Sequence, residues 1–171
     1  NDGRLAEKVK HLSTQAKNDS IEYDHDEIGY NYRLTNIQAA MGVAQMESLD
    51  TFVAVKRKNA LRYQHLFSDC NGIELLWERP WVKSNFWFYT IRVSKDRKKP
   101  LVDYLISKNV QVRPIWKLIH TLQMYKDCQA FRVESALNIY DTALNLPCSI
   151  GIKKKEVEFT VEKIKSFFSS R

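Results

Sequence analysis

The 171-residue sequence contains none of the short motifs that identify many nucleotide-dependent and metal-dependent enzymes. It has only five glycines. None of them forms the GxxxxGK loop that cradles phosphates, the GxGxxG turn of dinucleotide-binding folds or the GxSxG turn of serine hydrolases. HExxH and EF-hand spacings do not occur either. A reaction therefore cannot be assigned to this sequence from a short catalytic motif.

Cysteine is also scarce. Cys70, Cys128 and Cys148 are an odd number without CxxC spacing, which argues against a disulfide framework and a structural zinc site. We expect each to be a buried or half-buried thiol in a cytoplasmic protein. No apolar run approaches the length of a bilayer span, and the segment NDGRLAEKVKH lacks the apolar core of a secretory signal. We therefore predict neither membrane insertion nor a metal site.

The formal net charge is +7, and a basic balance of this size can attract a polyanion. Much of the excess lies in short clusters at 56–58, 95–99 and 153–155, a pattern typical of solvated helix faces and turns. No nucleic-acid-binding motif accompanies these clusters, and charge by itself is weak support for such a partner. We expect no nucleic-acid partner.

The N-terminal half of the sequence predicts helices. Asp2 is placed to cap a short first helix, and residues 14–30 lose the apolar period. Thr35 or Asn36 then caps a helix with an apolar stripe that breaks or bends around 48–50. Its continuation is predicted to stop at the pair Asn71-Gly72.

The C-terminal half mixes strands and helices. The runs ELLW, FWFYTIRV and VQVRPIW are rich in β-branched and aromatic residues and predict strands. A helix with Pro100 early and Asn109 at its end separates the second from the third. A helix from about Gln129, the strand-like stretch ALNLPCSIGI and a last amphipathic helix follow. This order predicts an α+β fold, with helices packed on one face of a small, mainly antiparallel sheet.

Two polar or aromatic groupings have more than one interpretation. Asp24, Asp26 and Glu27 beside His25 form either a metal or acid–base cluster or a solvated acidic loop. We favour the loop, because no residue at helical spacing converges on it. The aromatic residues Trp77, Trp81, Phe86 and Trp87 are expected to serve core and interface rather than to stack on bases, since they lie in strand-like runs.

Three segments resemble one enzyme family. GYNYRLTNIQAAMGVAQMESLD (29–50) resembles the segment that follows the cofactor lysine in the pyridoxal phosphate (PLP)-dependent sugar-nucleotide aminotransferases of the DegT/StrS group. RPIWKLIHTLQMY and NLPCSIGIKKKEVEFTVEKI are similar to later motifs of that family, in the same order. KHLSTQAK resembles more narrowly the branch that makes 4-amino sugars on UDP-linked 2-acetamido-6-deoxyhexoses, as in legionaminic acid and bacillosamine pathways.

The resemblance implies a fold-type-I aminotransferase, in which a large domain holds PLP on a Schiff-base lysine and a small C-terminal domain closes over it. It also implies that Asn1 already lies beyond that lysine, and no lysine of this chain stands in its sequence context. We therefore expect the C-terminal part of such an enzyme. It should have no catalytic residue of its own, no metal, and neither activity nor bound PLP when alone.

The same resemblance implies a domain division and an assembly. Residues 1–35 would be the tail of the large domain and a loop that crosses to another subunit. Residues 36–70 would form a long connecting helix region, and residues 71–171 the small C-terminal α+β domain. The partners implied are a second copy of the chain, in a homodimer or higher homo-oligomer, and a UDP-sugar substrate in the intact enzyme.

The family's site residues map onto two segments. By match to the family's NYR element, Asn31 would contact the PLP phosphate of the partner subunit and Arg33 would lie near the substrate's phosphates. An amide donor and a planar guanidinium suit phosphate oxygens. In the RPIWKLIH segment, Trp116, Lys117 and His120 match the substrate-facing loop. This chain has Leu118 and Gln123 where the family usually has proline, so the loop should be less rigid.

Both segments also have structural interpretations: the first two side chains would brace the loop before the helix, and His120 would be a hydrogen-bonded structural residue. Three hypotheses follow for the chain. It is the C-terminal portion of an aminotransferase that aminates a 4-keto-6-deoxy UDP-sugar, with glutamate as donor, for bacterial surface glycans. Alternatively, it is a non-catalytic self-associating or regulatory domain from a truncated gene, or, on charge alone, a nucleic-acid binder.

Overall fold

The computed structural model describes residues 2–19 and 21–169. The chain divides into two compact units, residues 1–49 and 50–171, while the three-part domain division above stays a prediction. Within the described residues no helix is both long and apolar enough to cross a membrane. The helices and strands, in chain order, are α1 (Gly3–Ser13), α2 (Asn36–Glu47), α3 (Leu49–Leu66), β1 (Glu74–Leu75), β2 (Tyr89–Arg92), α4 (Lys95–Ser107), β3 (Arg113–Pro114), α5 (Glu134–Thr142), β4 (Ala143–Leu146) and α6 (Lys154–Ser169).

The helix starts of the first unit follow their caps. The Asp2 carboxylate accepts the backbone N–H groups of Arg4 at 3.0 Å and Leu5 at 3.3 Å, as predicted. Thr35 caps α2 through a capping box, in which its hydroxyl accepts the Gln38 N–H and the Gln38 side chain accepts the Thr35 N–H. This reciprocal pair satisfies two backbone donors that a helix start leaves open.

The predicted break after α2 is confirmed, because Ser48 separates it from α3. The predicted stop at Asn71-Gly72 is wrong, since α3 ends at Leu66. Beyond that point Ser68 and Cys70 donate to carbonyls three residues back, so the chain tightens into turns. Gly72, with φ of +86°, then reverses direction in the left-handed region that glycine favours.

The second unit contains a four-stranded sheet in the order β1-β2-β4-β3, with every neighbouring pair antiparallel. Three helices contribute fully buried side chains to the core on one face, for example Tyr63 of α3, Leu105 of α4 and Ile164 of α6. The strands contribute Ile91 and Leu144. The predicted α+β fold, with helices against a small antiparallel sheet, is therefore confirmed.

Asn109 ends α4 as predicted. It has φ of +59°, its N–H donates to Ile106 O at 3.0 Å, and the Val110 N–H reaches back to Leu105 O at 2.9 Å. These two bonds form a Schellman motif. The helix begins at Lys95, so Pro100 lies in its second turn.

The start of α5 was predicted wrongly. The helix begins at Glu134 rather than near Gln129, because Arg132 has φ of +51° and a helix cannot run through that conformation. One exposure prediction also fails. Cys128 is exposed, while Cys70 and Cys148 are half-buried as expected.

The four aromatic residues from the strand-like runs separate into two kinds. Trp77 packs on buried Phe86 with ring centroids 4.8 Å apart, as expected of core residues. Trp81 and Trp87 are 81% and 65% exposed, and their expected place in an interface stays a prediction. None of the four lies in a strand, because pairing extends only through residues that find a neighbouring strand.

Candidate functional site

The first candidate segment, residues 30–36, is called the hook below. Its backbone is held to the end of α1: the Tyr30 N–H donates to Leu12 O at 2.7 Å, and the Tyr32 N–H donates to Ser13 O at 3.1 Å. Gly29 precedes the hook and lies so close to Gln15 that an added Cβ would be 2.3 Å from its carbonyl carbon. Only glycine permits this approach.

The side chains of the hook are all exposed. Asn31 and Arg33 are both exposed and line a shallow recess of about 440 Å³ together with Tyr32, Leu34 and Gln38. Among the described residues, neither side chain makes a hydrogen bond or an ion pair. The hook is therefore pinned through its backbone and leaves an amide and a guanidinium available.

Both donors suit phosphate oxygens, in keeping with the prediction that Asn31 contacts the phosphate of PLP and Arg33 the phosphates of the substrate. An amide N–H can donate to one phosphate oxygen, and a guanidinium can form charge-assisted bonds to others. The hook contains no lysine, so it can hold the phosphate but not the aldehyde of the cofactor. The recess has the chemistry of an anion subsite rather than of a complete cofactor site.

The acidic loop is tied to α1 by charged contacts. His11 Nε2 lies 2.6 Å from Asp26 Oδ1, and Lys8 Nζ bonds to Glu27. The hydrogen bond with His11 holds the pKa of Asp26 below its ordinary value. His25 contacts a backbone carbonyl instead, that of Gln15 at 2.6 Å.

In the sequence His25 stands beside the acidic residues, but in the structure it is His11 that contacts Asp26. The ligand-capable atoms of His11, Asp26 and Glu27 lie within 4.8 Å of one another. Within this cluster Glu27 already contacts the ammonium group of Lys8, and Asp26 already contacts His11. The arrangement is therefore an ion-pair network that ties the loop before the hook to α1.

The second candidate segment follows β3. Trp116 is 64% exposed and contacts Phe88 edge to face, with centroids 5.0 Å apart. Lys117 is exposed, and His120 is half-buried in a 3-10 turn at Ile119–Thr121. Neither makes a hydrogen bond or an ion pair to another described residue. Trp116 is thus the residue that anchors this loop to its own unit.

The structure brings the predicted residues together only within each segment. Asn31 and Arg33 line one recess in the first unit, and Trp116, Lys117 and His120 follow one another in the second. Sequence reasoning missed Arg113 and Asn145, which meet on the sheet. The available signal was a single polar residue, Asn145, inside the apolar run ALNL.

Comparison with known proteins covers nearly the whole chain. The sequence profile of the DegT/DnrJ/EryC1/StrS aminotransferase family matches residues 1–165. EpsN of Bacillus subtilis, assigned to the pyridoxal phosphate-dependent aminotransferases, is 35% identical over 73% of this chain and 32% of its own length. GDP-perosamine synthase of Escherichia coli O157:H7 is 31% identical over 100% of this chain and 46% of its own length.

Two further comparisons agree. The UDP-4-amino-4,6-dideoxy-N-acetyl-beta-L-altrosamine transaminase of Helicobacter pylori is 26% identical over 99% of this chain and 47% of its own length. The crystal structure of the aminotransferase TlmJ from Streptoalloteichus hindustanus superposes with a TM-score of 0.86 at 20% identity, over 99% of this chain and 46% of TlmJ. The chain thus spans between a third and a half of the relatives that it matches. It belongs to the DegT/DnrJ/EryC1/StrS aminotransferase family.

Proposed function

We propose that this chain forms the C-terminal part of a PLP-dependent aminotransferase that aminates a 4-keto-6-deoxy sugar nucleotide. The substrate is UDP-linked, glutamate is the amino donor, and the product serves bacterial surface-glycan biosynthesis in the cytoplasm. One observation carries the proposal. This chain matches the family, and its hook presents Asn31 and Arg33 without a partner among the described residues.

Asn31 binds the phosphate of PLP held by a partner subunit, and Arg33 binds the substrate's phosphates. When bound, PLP supplies an electron sink for the transfer of the amino group. The residues of this chain orient the two anionic groups. Because a guanidinium keeps its charge at neutral pH, Arg33 can hold a phosphate throughout the reaction.

Trp116, Lys117 and His120 contact the sugar nucleotide from the second unit. Lys117 offers a positive charge to the diphosphate, and His120 offers a ring nitrogen to a sugar hydroxyl or carbonyl. Trp116 holds the loop through its contacts with Trp87 and Phe88. That anchorage compensates for the absence of proline at Leu118 and Gln123.

A homodimer or higher homo-oligomer is supported by the first unit. Ala16 is the one buried hydrophobic residue among its described positions. Many of its large apolar side chains are at least half exposed: Leu5, Val9, Ile21, Ile28, Leu34, Ile37, Met41, Val43 and Met46. Exposed apolar side chains in this number are normally covered by other protein.

The relatives differ in the nucleotide that their names give. The Escherichia coli relative is a GDP-perosamine synthase, and the Helicobacter pylori relative is a transaminase of a UDP-sugar. We favour UDP on the similarity of KHLSTQAK to the UDP branch. None of the lysines here stands in the context of a Schiff-base lysine, and a lysine without a buried pocket stays protonated at neutral pH. The chain alone should therefore catalyse no transamination.

The test is a chimera in which this chain replaces the matching part of the Helicobacter pylori transaminase. We expect the chimera to bind PLP and to aminate a UDP-linked 4-keto-6-deoxy sugar. Asn31→Ala should weaken PLP binding by about tenfold, the loss of roughly one charge-assisted hydrogen bond. Asn36→Ala removes an exposed amide at the end of the hook that does not line the recess, and should leave binding unchanged.

The same chimera can contradict the proposal. A folded chimera that binds PLP but aminates no UDP-linked keto sugar would exclude the proposed activity. Equal PLP binding by the Asn31→Ala and Asn36→Ala chimeras would exclude the role of the hook. A Schiff-base absorbance band, distinct from that of free PLP, after PLP is added to this chain alone would show a lysine site that we do not expect.

A further inference from the structure

One face of the sheet in the second unit carries polar residues. Thr90, Asn145 and Arg113 are direct partners across β2, β4 and β3, and directly opposed residues of an antiparallel sheet share a face. Their strand neighbours Ile91 and Leu144 point to the buried core. Because strand side chains alternate, the polar row lies on the opposite face.

Asn145 is the centre of this row. It is only 7% exposed, and its Oδ1 accepts the Thr90 hydroxyl at 2.7 Å. Its amide nitrogen has no hydrogen-bond partner among the described residues. Asn145 lines a recess of about 170 Å³ with Phe88, Gln111 and Arg113. This nitrogen is not among the fully enclosed polar atoms without a partner, so it stays accessible and can donate to a ligand that enters the recess.

An aromatic platform borders the recess. Phe88 lines it and contacts Trp87 and Trp116 at 4.8 and 5.0 Å between ring centroids. The two tryptophans are themselves 5.8 Å apart and remain about two-thirds exposed, at 65% and 64%. Flat, exposed rings fixed by one another are suited to stacking on a planar ligand.

The recess is rich in hydrogen-bond donors. The Asn145 amide nitrogen and the Arg113 guanidinium can only donate, and Gln111 can both donate and accept. The recess lining contains neither aspartate nor glutamate. A planar ligand that fits must therefore present mainly acceptors, with at most one N–H directed at Gln111.

We propose that this face binds the uracil base of the sugar nucleotide, an inference that rests on the proposed function. Uracil presents two carbonyl oxygens with one N–H between them. The carbonyl oxygens accept from Asn145 and Arg113, the N–H donates to Gln111, and the ring stacks on Trp116, against which Trp87 packs at an interplanar angle of 42°. The same recess disfavours guanine, which presents an N–H and an amino group on one edge and is a fused double ring.

The face can be tested on the 171-residue chain itself by titrating uridine monophosphate and following the four tryptophan indole N–H signals by NMR. We expect saturable shifts of the Trp87 and Trp116 signals and little change at Trp77 and Trp81. Guanosine monophosphate should bind about tenfold more weakly. Trp116→Ala should abolish the shift at Trp87, and Trp81→Ala should preserve it as a matched control for removal of an exposed tryptophan.

Asn145→Asp tests the donor directly. The new carboxylate still accepts from Thr90, so the sheet contact is retained, but the donor that faces the recess becomes an acceptor. Uridine monophosphate should bind about tenfold more weakly. Cytidine monophosphate should gain relative to it, because its ring carries an amino group where uracil has a carbonyl. Arg113→Gln should weaken uridine monophosphate without this change of preference.

Unchanged uridine monophosphate binding by Asn145→Asp, equal binding of the guanine nucleotide, or shifts confined to Trp77 and Trp81 would overturn the inference. Its failure is separable from failure of the proposed function. Amination of a UDP-sugar by the chimera with no uridine monophosphate binding by the chain would refute only the uracil subsite. Binding of the nucleotide together with an inactive, PLP-bound chimera would refute only the aminotransferase assignment.

Discussion

Arg57 of α3 holds Glu78 by two parallel hydrogen bonds, with Nη1–Oε2 and Nη2–Oε1 distances of 2.9 and 2.7 Å. The same carboxylate accepts the Ser84 N–H at 2.6 Å, and Arg57 donates to the Ser84 carbonyl at 2.5 Å. The guanidinium also lies 5.4 Å from the Phe86 ring centre. These contacts tie α3 to the loop that leads into Trp87, and thus to the proposed uracil platform.

The Arg57–Glu78 pair should make the free energy of unfolding depend on pH in the acidic range. The hydrogen bond from Arg57, followed by that from the Ser84 N–H, lowers the pKa of Glu78 from 4.5 to about 2. A lowered folded-state pKa stabilises the protein above the unfolded value, and that contribution disappears as the pH falls from about 4.5 towards about 2. Glu78→Gln should therefore be less stable than wild type at neutral pH, and the difference should shrink in this range.

Urea unfolding of both proteins from neutral to acidic pH measures this. The control is Asp103→Asn, which breaks the exposed ion pair with Lys99, whose side chains are 60% and 84% exposed. That change should alter stability by at most about 0.5 kcal/mol. A Glu78→Gln difference that stays constant across the acidic range would contradict the pKa argument.

The end of α4 depends on the left-handed conformation of Asn109. Asn109→Ala places a residue that tolerates φ of +59° less well in the Schellman position, and should lower the free energy of unfolding by about 1 kcal/mol. Lys108→Ala is the matched control, because Lys108 has φ of −96°. Equal thermal stability of the two alanine variants would show that the left-handed conformation at position 109 does not determine the cost of the substitution.

The hook depends on the close approach of Gly29. A Cβ at this position would lie 2.3 Å from Gln15 C and 2.4 Å from Ala16 N, so Gly29→Ala must move the backbone at position 29 away from that of Gln15 and Ala16. Hydrogen exchange of the Tyr30 and Tyr32 amides should speed up. Gly42→Ala meets no atom within 4 Å and should instead stabilise α2 by up to about 1 kcal/mol. Unchanged protection in Gly29→Ala would refute the close contact.

The exposed apolar face of α2 should drive self-association. Ile37 and Met41 lie one turn apart and are 76% and 66% exposed, so the double change Ile37→Lys and Met41→Lys should shift the chain towards monomer in sedimentation experiments. Leu61→Lys, at a residue of α3 that is 57% exposed, serves as the control. A wild-type chain that stays monomeric at every concentration would oppose the proposed homo-oligomer.

Local signals predicted the elements whose ends depend on a few neighbouring residues. Asp2, Thr35 and Asn109 bound helices as expected, because caps act within one turn. The α5 start failed because Arg132 adopts positive φ, for which its residue type gives no warning. The α3 end failed because Gly72 serves a later turn, and the tightened turns before it are not marked by glycine or proline.

The candidate sites show the same limit. The hook was found from a polar segment before a helix and from a family resemblance. The row of Thr90, Asn145 and Arg113 was missed, because its members are far apart in sequence and meet only through strand register. Likewise His11, rather than His25, contacts Asp26, because that contact depends on the tertiary path of the chain and not on sequence proximity.

Periodicity, capping residues and sequence similarity by themselves determined the fold class, most helix starts and the family of this protein, because these are set by interactions within a few residues or by shared ancestry. Tertiary structure alone decided that Trp87, Phe88 and Trp116 meet, that Asn145 keeps a donor without a partner beside Arg113, and that Arg57 holds Glu78. Such pairings depend on strand register and helix packing, which bring together residues that no local spacing connects.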